Sequence, residues 1–278
     1  MCRVFGFKSV ITSQVHTSLT DSENALALQS VEHPHGWGVA YYVAGAPHII
    51  KSVDSAVEDN IFKTVSGIVS SNTVVAHIRK ATLGHHTILN THPFQYGPWV
   101  FAHNGHIHEF DKKRENLMEL VSKHLQRFIL GETDSELLFY IILSEYYQHF
   151  SMIDKPSISE MSMVISKALV KIQDVIGEMA KEDTPDLNHN YLTFLITNGD
   201  LILGHQGGKR MYYSTYKKRC PDRDSCSSFS KVCEAPSDTG FVNHMIFSSE
   251  PLNGENIWLE LKRGEIMGVD NHMKLFRR

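Results

Sequence analysis

Along the first hundred residues the apolar positions fall in short runs that suit strands, and the polar stretches between them carry helical spacing. Residues 4–7 (Val-Phe-Gly-Phe), 36–43 (a tryptophan between glycines, then Val-Ala-Tyr-Tyr-Val), 73–78 and 99–102 read as strands. Residues 21–31 and 54–65 read as helices between them. The last of these strands runs into His103-Asn104-Gly105, a local turn signal. The middle of the chain changes period. Leu117, Leu120, Val121, Phe128 and Ile129 recur every 3.6 residues, and so do Leu137, Leu138, Ile141 and Ile142. Thr133 with Glu136, and Ser157 with Glu160, have the spacing of capping boxes at helix starts. The second box leads into a stripe of Ile158, Met161, Ile165, Leu169, Ile172 and Ile176.

The last third returns to strands. Residues 192–197 and 201–204 flank Asn198-Gly199, a hairpin signal. Residues 211–216, 245–248, 257–261 and 266–269 follow, interrupted by a polar, cysteine-bearing loop at 217–244. Strands, then helices, then strands, with no shift in composition and no linker, predict one α+β domain over residues 1–278, its sheets and helices in separate layers.

Composition narrows the function classes. With 278 residues, 42% hydrophobic and 21% charged, the chain has the make-up of a soluble globular protein able to bury a large core. A formal charge of −4 gives no electrostatic footprint for nucleic acid or an anionic membrane, so neither is an expected partner. The 17 histidines would reverse the sign of that charge on protonation, which predicts pH-dependent behaviour near pH ~6. No membrane-length apolar run and no signal peptide are evident, and the expectation is a cytoplasmic protein with reduced thiols. Cys220, Cys226 and Cys233 are spaced five and six residues apart, unlike the two-residue spacer usual in zinc sites. Neither a metal nor a cofactor is therefore expected, and the histidine-dense stretch from His77 to His108 would scatter its rings over both faces of a strand. The cysteine loop could instead border a substrate entrance.

Four places carry candidate chemistry. Cys2 follows Met1, and loss of that methionine would put a thiol and a free α-amine on one carbon. An α-amine titrates near pH ~7.7–8.0 and can serve as the base for the thiol. Arg79, at the exit of the strand at 73–78, can grip a carboxylate through two parallel hydrogen bonds or sit in a surface ion pair. Asn104 beside the Gly105 N–H offers two donors for a developing oxyanion, or an ordinary Asn-Gly turn. Asp134 falls in the first turn of a helix, where the dipole favours a carboxylate, and it could also receive an ammonium. Arginine for a carboxylate and aspartate for an ammonium together describe an α-amino-acid head group.

With these motifs in hand, the chain resembles the class II, N-terminal-cysteine glutamine amidotransferase domain of the Ntn hydrolases. The matching pieces, in order, are Met1-Cys2-Arg3, His35-Gly36-Trp37-Gly38, His77-Ile78-Arg79-Lys80-Ala81-Thr82, Asn90-Thr91-His92-Pro93-Phe94, Ala102-His103-Asn104-Gly105 and Thr133-Asp134-Ser135-Glu136. Phe247-Ser248-Ser249-Glu250-Pro251-Leu252, with Trp258 and Gly264, is similar to the stand-alone subgroup, which includes enzymes that cleave γ-glutamyl amides. The resemblance implies a four-layer αββα sandwich of two antiparallel sheets. It implies Cys2 as nucleophile, Asn104 and Gly105 as oxyanion donors, and Arg79, Thr82 and Asp134 as substrate-binding residues, with Trp37 and His92 either shaping the pocket or serving as packing residues. Leu83 departs from the glucosamine-synthase branch, which has a histidine there. The activity so implied is hydrolysis of glutamine or another small-molecule γ-glutamyl substrate. Two other readings remain open at this point: a glutaminase subunit feeding ammonia to a separate synthetase partner, and a non-catalytic γ-glutamyl-binding module.

Overall fold

The computed structural model describes residues 2–278 and folds them into two antiparallel sheets with helices against their outer sides. In chain order the first part holds β1 (Arg3–Gln14), α1 (Leu26–Gln29), β2 (Trp37–Val43), β3 (Ala46–Ser52), α2 (Asn60–Ile68), β4 (Ser70–Ile78), β5 (Phe94–Tyr96) and β6 (Trp99–His106). Helices α3 (Phe110–Glu119), α4 (Lys123–Gln126), α5 (Asp134–Tyr146) and α6 (Ile158–Ile176) follow. The chain closes with β7 (Tyr191–Thr197), β8 (Ile202–His205), β9 (Tyr212–Ser214), β10 (His244–Ser248), β11 (Leu259–Glu260), β12 (Ile266–Val269) and β13 (Leu275–Arg277).

One sheet runs β11-β9-β10-β1-β4-β2-β3 and the other β13-β12-β8-β7-β6-β5. Three apolar layers hold the stack together. Val4, Val75, Val100, Ala102, Leu195 and Phe247 fill the space between the sheets. Phe5, Val74, Ala76 and Ile78 face Leu26 of α1 and Phe62 and Val65 of α2. Trp99, Phe101 and Phe194 face Leu138, Phe139, Ile165 and Leu169 of α5 and α6. Two sheets each covered by helices make the four-layer α+β sandwich that the sequence predicts. The central strands are therefore apolar on both faces, which is why they read as continuous runs rather than alternating ones. At Gly6 a Cβ would lie 2.7 Å from Leu195 Cδ1, so a side chain there would force Leu195 to repack between the sheets. Among the described residues no helix is long and apolar enough to cross a membrane.

Several local expectations change. His103-Asn104-Gly105 is not a turn. Residues 100–106 pair rung by rung with β7, Ala102 opposite Leu195 and His106 opposite Tyr191, and this ladder outweighs the local Asn-Gly preference. The helix expected over 21–31 is reduced to α1, one turn long. The Asn198-Gly199 hairpin has a longer loop, because β7 and β8 last pair at Thr197 and Ile202 and the Asn198 side chain accepts from the N–H groups of Asp200 and Leu201. Ser157 and Glu160 form the full capping box of α6. At α5 only half of the box forms. Thr133 accepts from the Glu136 N–H, but the Glu136 carboxylate turns to the N–H groups of Leu130 and Gly131.

Candidate active site

Cys2 enters at the head of β1, where Arg3 lies opposite Ile78 of β4. This register brings the Cys2 thiol against the residue after Arg79. Cys2 Sγ accepts from the Lys80 N–H at 3.3 Å and lies 3.5 Å from the Lys80 carbonyl. Burial pushes the thiol pKa up, while the Lys80 N–H and the Arg79 charge oppose that rise. The thiol is thus held in place but poorly ionised, and its reactivity would need a base nearby.

Asn104 reaches the same place from the other sheet. It is buried on β6 opposite Thr193, and its Nδ2 donates to Ser249 Oγ at 3.3 Å. The same Oγ accepts from the Val4 N–H at 2.9 Å, two residues beyond Cys2. Ser249 therefore joins the Cys2 strand of one sheet to the Asn104 strand of the other. Asn104 Oδ1 is buried with no hydrogen-bond partner among the described residues, a cost left standing at this position. The Ser248-Ser249-Glu250 motif was visible in the sequence as part of a resemblance, but nothing local signalled what Ser249 touches across 145 residues.

Gly105 has no room for a side chain. A Cβ there would stand 2.0 Å from the Tyr191 carbonyl oxygen and 2.1 Å from His103 Nε2. That crowding comes from a polar layer behind β6. His103 Nε2 donates to the Tyr191 carbonyl at 3.0 Å, so its other nitrogen, 2.8 Å from Ser135 Oγ, accepts in the neutral ring. Burial lowers the His103 pKa and favours that neutral form. The same Ser135 hydroxyl lies 3.1 Å from Asp134 Oδ1, so its single proton is shared between two acceptors. His77 bonds the His103 carbonyl at 3.1 Å and stacks on His92 at 4.1 Å. Burial drives the His77 pKa down to about 3 and that of His92 well below the usual histidine value.

The expected substrate-binding residues are placed as follows. Arg79 is buried, and its guanidinium donates to the carbonyls of Leu83 and His85 at 2.9 and 3.1 Å and of Gly84 at 3.4 Å. In this structure it secures the loop after β4. Three of its five N–H groups are so engaged, which leaves donors for one further acceptor. Asp134 begins α5, is buried, and accepts from the Ile107 N–H at 2.8 Å, one residue past β6. It thereby anchors α5 to the strand that carries Asn104. Thr82 is exposed and lines, with Asn104 and Ser249, a cleft of about 1040 Å³. Trp37 is not in this site. It packs edge-on to Phe62 at 5.0 Å in the outer layer and donates to Asp59 at 2.9 Å. The loop at 217–244 does not border this cleft in its cysteines either. Cys220, Cys226 and Cys233 line a separate cavity of about 420 Å³ with His244, beside β1.

The model of the class-II glutamine amidotransferases matches residues 1–272. The chain belongs to this family. It is 27% identical over 223 residues to the probable glutamine amidotransferase DUG3 of Saccharomyces cerevisiae, covering 73% of this chain and 62% of that protein. It is 29% identical over 115 residues to the gamma-glutamyl-hercynylcysteine sulfoxide hydrolase of Mycobacterium tuberculosis, covering 38% of this chain and 49% of that one. The chain thus spans less than two thirds of either relative. A glutamine aminotransferase class-II domain protein from Silicibacter pomeroyi superposes with a TM-score of 0.65 at 20% identity, covering 100% of this chain and 97% of its own. That likeness extends the family's fold over the whole chain.

Proposed function

We propose that this class II amidotransferase-family protein hydrolyses the γ-amide of glutamine or of a γ-glutamyl compound through a thioester on Cys2. The observation that carries the reading is the convergence at the head of β1: a thiol fixed on the Lys80 backbone, and a buried Asn104 amide tied to the same strand through Ser249. The name of the Mycobacterium tuberculosis relative supports a γ-glutamyl amide over the part of the chain that it matches. Loss of Met1 would free the Cys2 α-amine, which then takes the thiol proton. The thiolate attacks the γ-carbonyl carbon, and the oxyanion is met by Asn104 Nδ2 and the Gly105 N–H. Collapse of the tetrahedral species breaks the C–N bond, and the leaving amine takes the proton from the α-ammonium. Water, deprotonated by the same amine, then attacks the thioester, releases glutamate and restores the thiol. Arg79 and Asp134 would hold the α-carboxylate and α-ammonium of the glutamyl group.

The test is intact mass before and after incubation with a glutamine-mimicking diazo-ketone, together with turnover of glutamine and γ-glutamyl amides. Loss of Met1, one adduct on Cys2, and activity abolished in a folded Cys2→Ala variant are expected. Turnover retained by that variant would refute the reading. Robust turnover by the purified protein alone would also separate it from a subunit that works only beside a synthetase.

A further inference from the structure

The cavity beside β1 shares no lining residue with the Thr82–Asn104 cleft, and the proposed reaction makes no use of it. Its volume of about 420 Å³ lies within the range of sites that enclose small organic ligands. The floor is apolar: Phe7 of β1, Val15 just beyond that strand, Ile246 of β10 and Leu252 are all buried. Three thiols on the wall do not make it a metal centre. Among the described residues no three His, Cys, Asp or Glu side chains come together closely enough to hold an ion.

Polar groups without partners gather over this floor. His244, at the start of β10, is 8% exposed, and its Nε2 is buried with no hydrogen bond. Burial, with the nearby Lys217 charge, lowers its pKa to about 4, so the ring is neutral and keeps one N–H donor. Asn256 Oδ1 is likewise buried without a donor. Folded proteins seldom leave such atoms unpaired, and here both residues line one cavity. Lys217 adds a charge. It pairs with Asn256 across an antiparallel bridge, so the two side chains leave the same face of the chain. The Lys217 ammonium makes no hydrogen bond or ion pair among the described residues. The carboxylates of Asp222 and Glu255 also line the cavity, exposed and equally unpaired.

These charges discriminate among ligands. A simple organic anion would meet Lys217 but also two carboxylates, and a simple cation would face Lys217. A molecule with both charges on neighbouring atoms matches an ammonium placed opposite an unpaired carbonyl oxygen. We infer that this cavity is a second binding site, which takes an α-amino acid with an apolar side chain. The carboxylate meets the Lys217 ammonium and the His244 N–H, the ammonium meets Asn256 Oδ1, and the side chain lies on Phe7, Ile246 and Leu252. A polar side chain such as that of glutamine would lie on that floor without partners.

The inference is independent of the proposed reaction, and its test reads binding rather than turnover. Isothermal titration of the full chain with L-leucine is expected to show saturable binding. Two analogues, 4-methylpentanoate without the ammonium and 3-methylbutylamine without the carboxylate, are expected to bind at least about tenfold more weakly, the scale of one charged hydrogen bond. In Lys217→Met the preference for L-leucine over 3-methylbutylamine is expected to fall toward one, with a urea melt to check that the variant folds. Occupancy is located by Cys226, which lines the cavity and is half-buried. L-leucine should slow its alkylation by a maleimide, and L-glutamine at the same concentration should not. Absence of binding, analogues that bind as tightly as L-leucine, a preference that survives Lys217→Met, or Cys226 alkylation that L-leucine leaves unchanged would each overturn the site.

Discussion

Ser249→Ala tests the join between the two sheets with almost no change in volume. The Ser249 Oγ accepts from the buried Val4 N–H at 2.9 Å and from Asn104 Nδ2 at 3.3 Å, and alanine removes that atom while leaving the Ser249 N–H bond to the Val4 carbonyl. Two effects follow. The Val4 N–H is left buried without a partner, a loss of about 1–3 kcal/mol of stability. The Asn104 side chain loses the one hydrogen bond it makes among the described residues and can swing, so in the proposed mechanism the oxyanion is met by a donor that is present but no longer aimed. Complete removal of one such donor typically lowers kcat by ~10²–10³, so a loosened one is expected to lower it by roughly tenfold to a hundredfold. Because the role proposed for the amide lies in the transition state, KM for a γ-glutamyl amide should move little. Urea melts give the first quantity and steady-state kinetics the second, with Ser249→Thr as the variant that restores the hydroxyl and recovers both. A Ser249→Ala protein that is less stable but keeps its kcat would refute the reasoning, and would leave Ser249 as a brace between sheets with no part in aiming Asn104.

Gly105→Ala should be far more damaging than its size implies, because the new Cβ meets a backbone oxygen at 2.0 Å that can move only if β7 moves. A stability loss of about 3 kcal/mol or more is expected by denaturant melt, with activity lost as well, and a variant as stable as the parent would show the geometry to be wrong. Acid should unfold the protein in a defined window. Burial lowers His77 to about 3 and His205 and His244 to about 4, so these rings are neutral when folded and protonate near pH ~6.5 when unfolded. Their contribution is complete above pH ~6.5 and is lost as pH falls toward 4, by up to about 3 kcal/mol for each of His205 and His244. Urea midpoints that stay flat between pH ~6.5 and ~4.5 would contradict this.

The order of elements was legible along the chain because periodicity is a local property. Strand-type runs, the 3.6-residue stripes of α5 and α6, and the Ser157–Glu160 cap all lie within one element and report on it directly. The candidate residues Cys2, Arg79, Thr82, Asn104, Gly105 and Asp134 were legible too, through motifs whose order recurs in a family. What the chain alone left undecided are the choices made between distant segments. Whether His103-Asn104-Gly105 is a turn or a strand was settled by β7, some ninety residues away, whose ladder supplies more hydrogen bonds than a turn can. Glu136 abandoned its cap because the N–H groups of Leu130 and Gly131 were nearer to hand in the folded loop. Trp37 was left open between a pocket and a packing role and packs beside Phe62, because period-two alternation decides only that neighbours face opposite ways, not which face meets which layer. Ser249 acquired its partners only when the two sheets met. Sequence thus determined the elements and named the candidate groups. Long-range pairing determined where those groups converge, because hydrogen bonding and burial between remote segments outweigh the preferences of any short stretch.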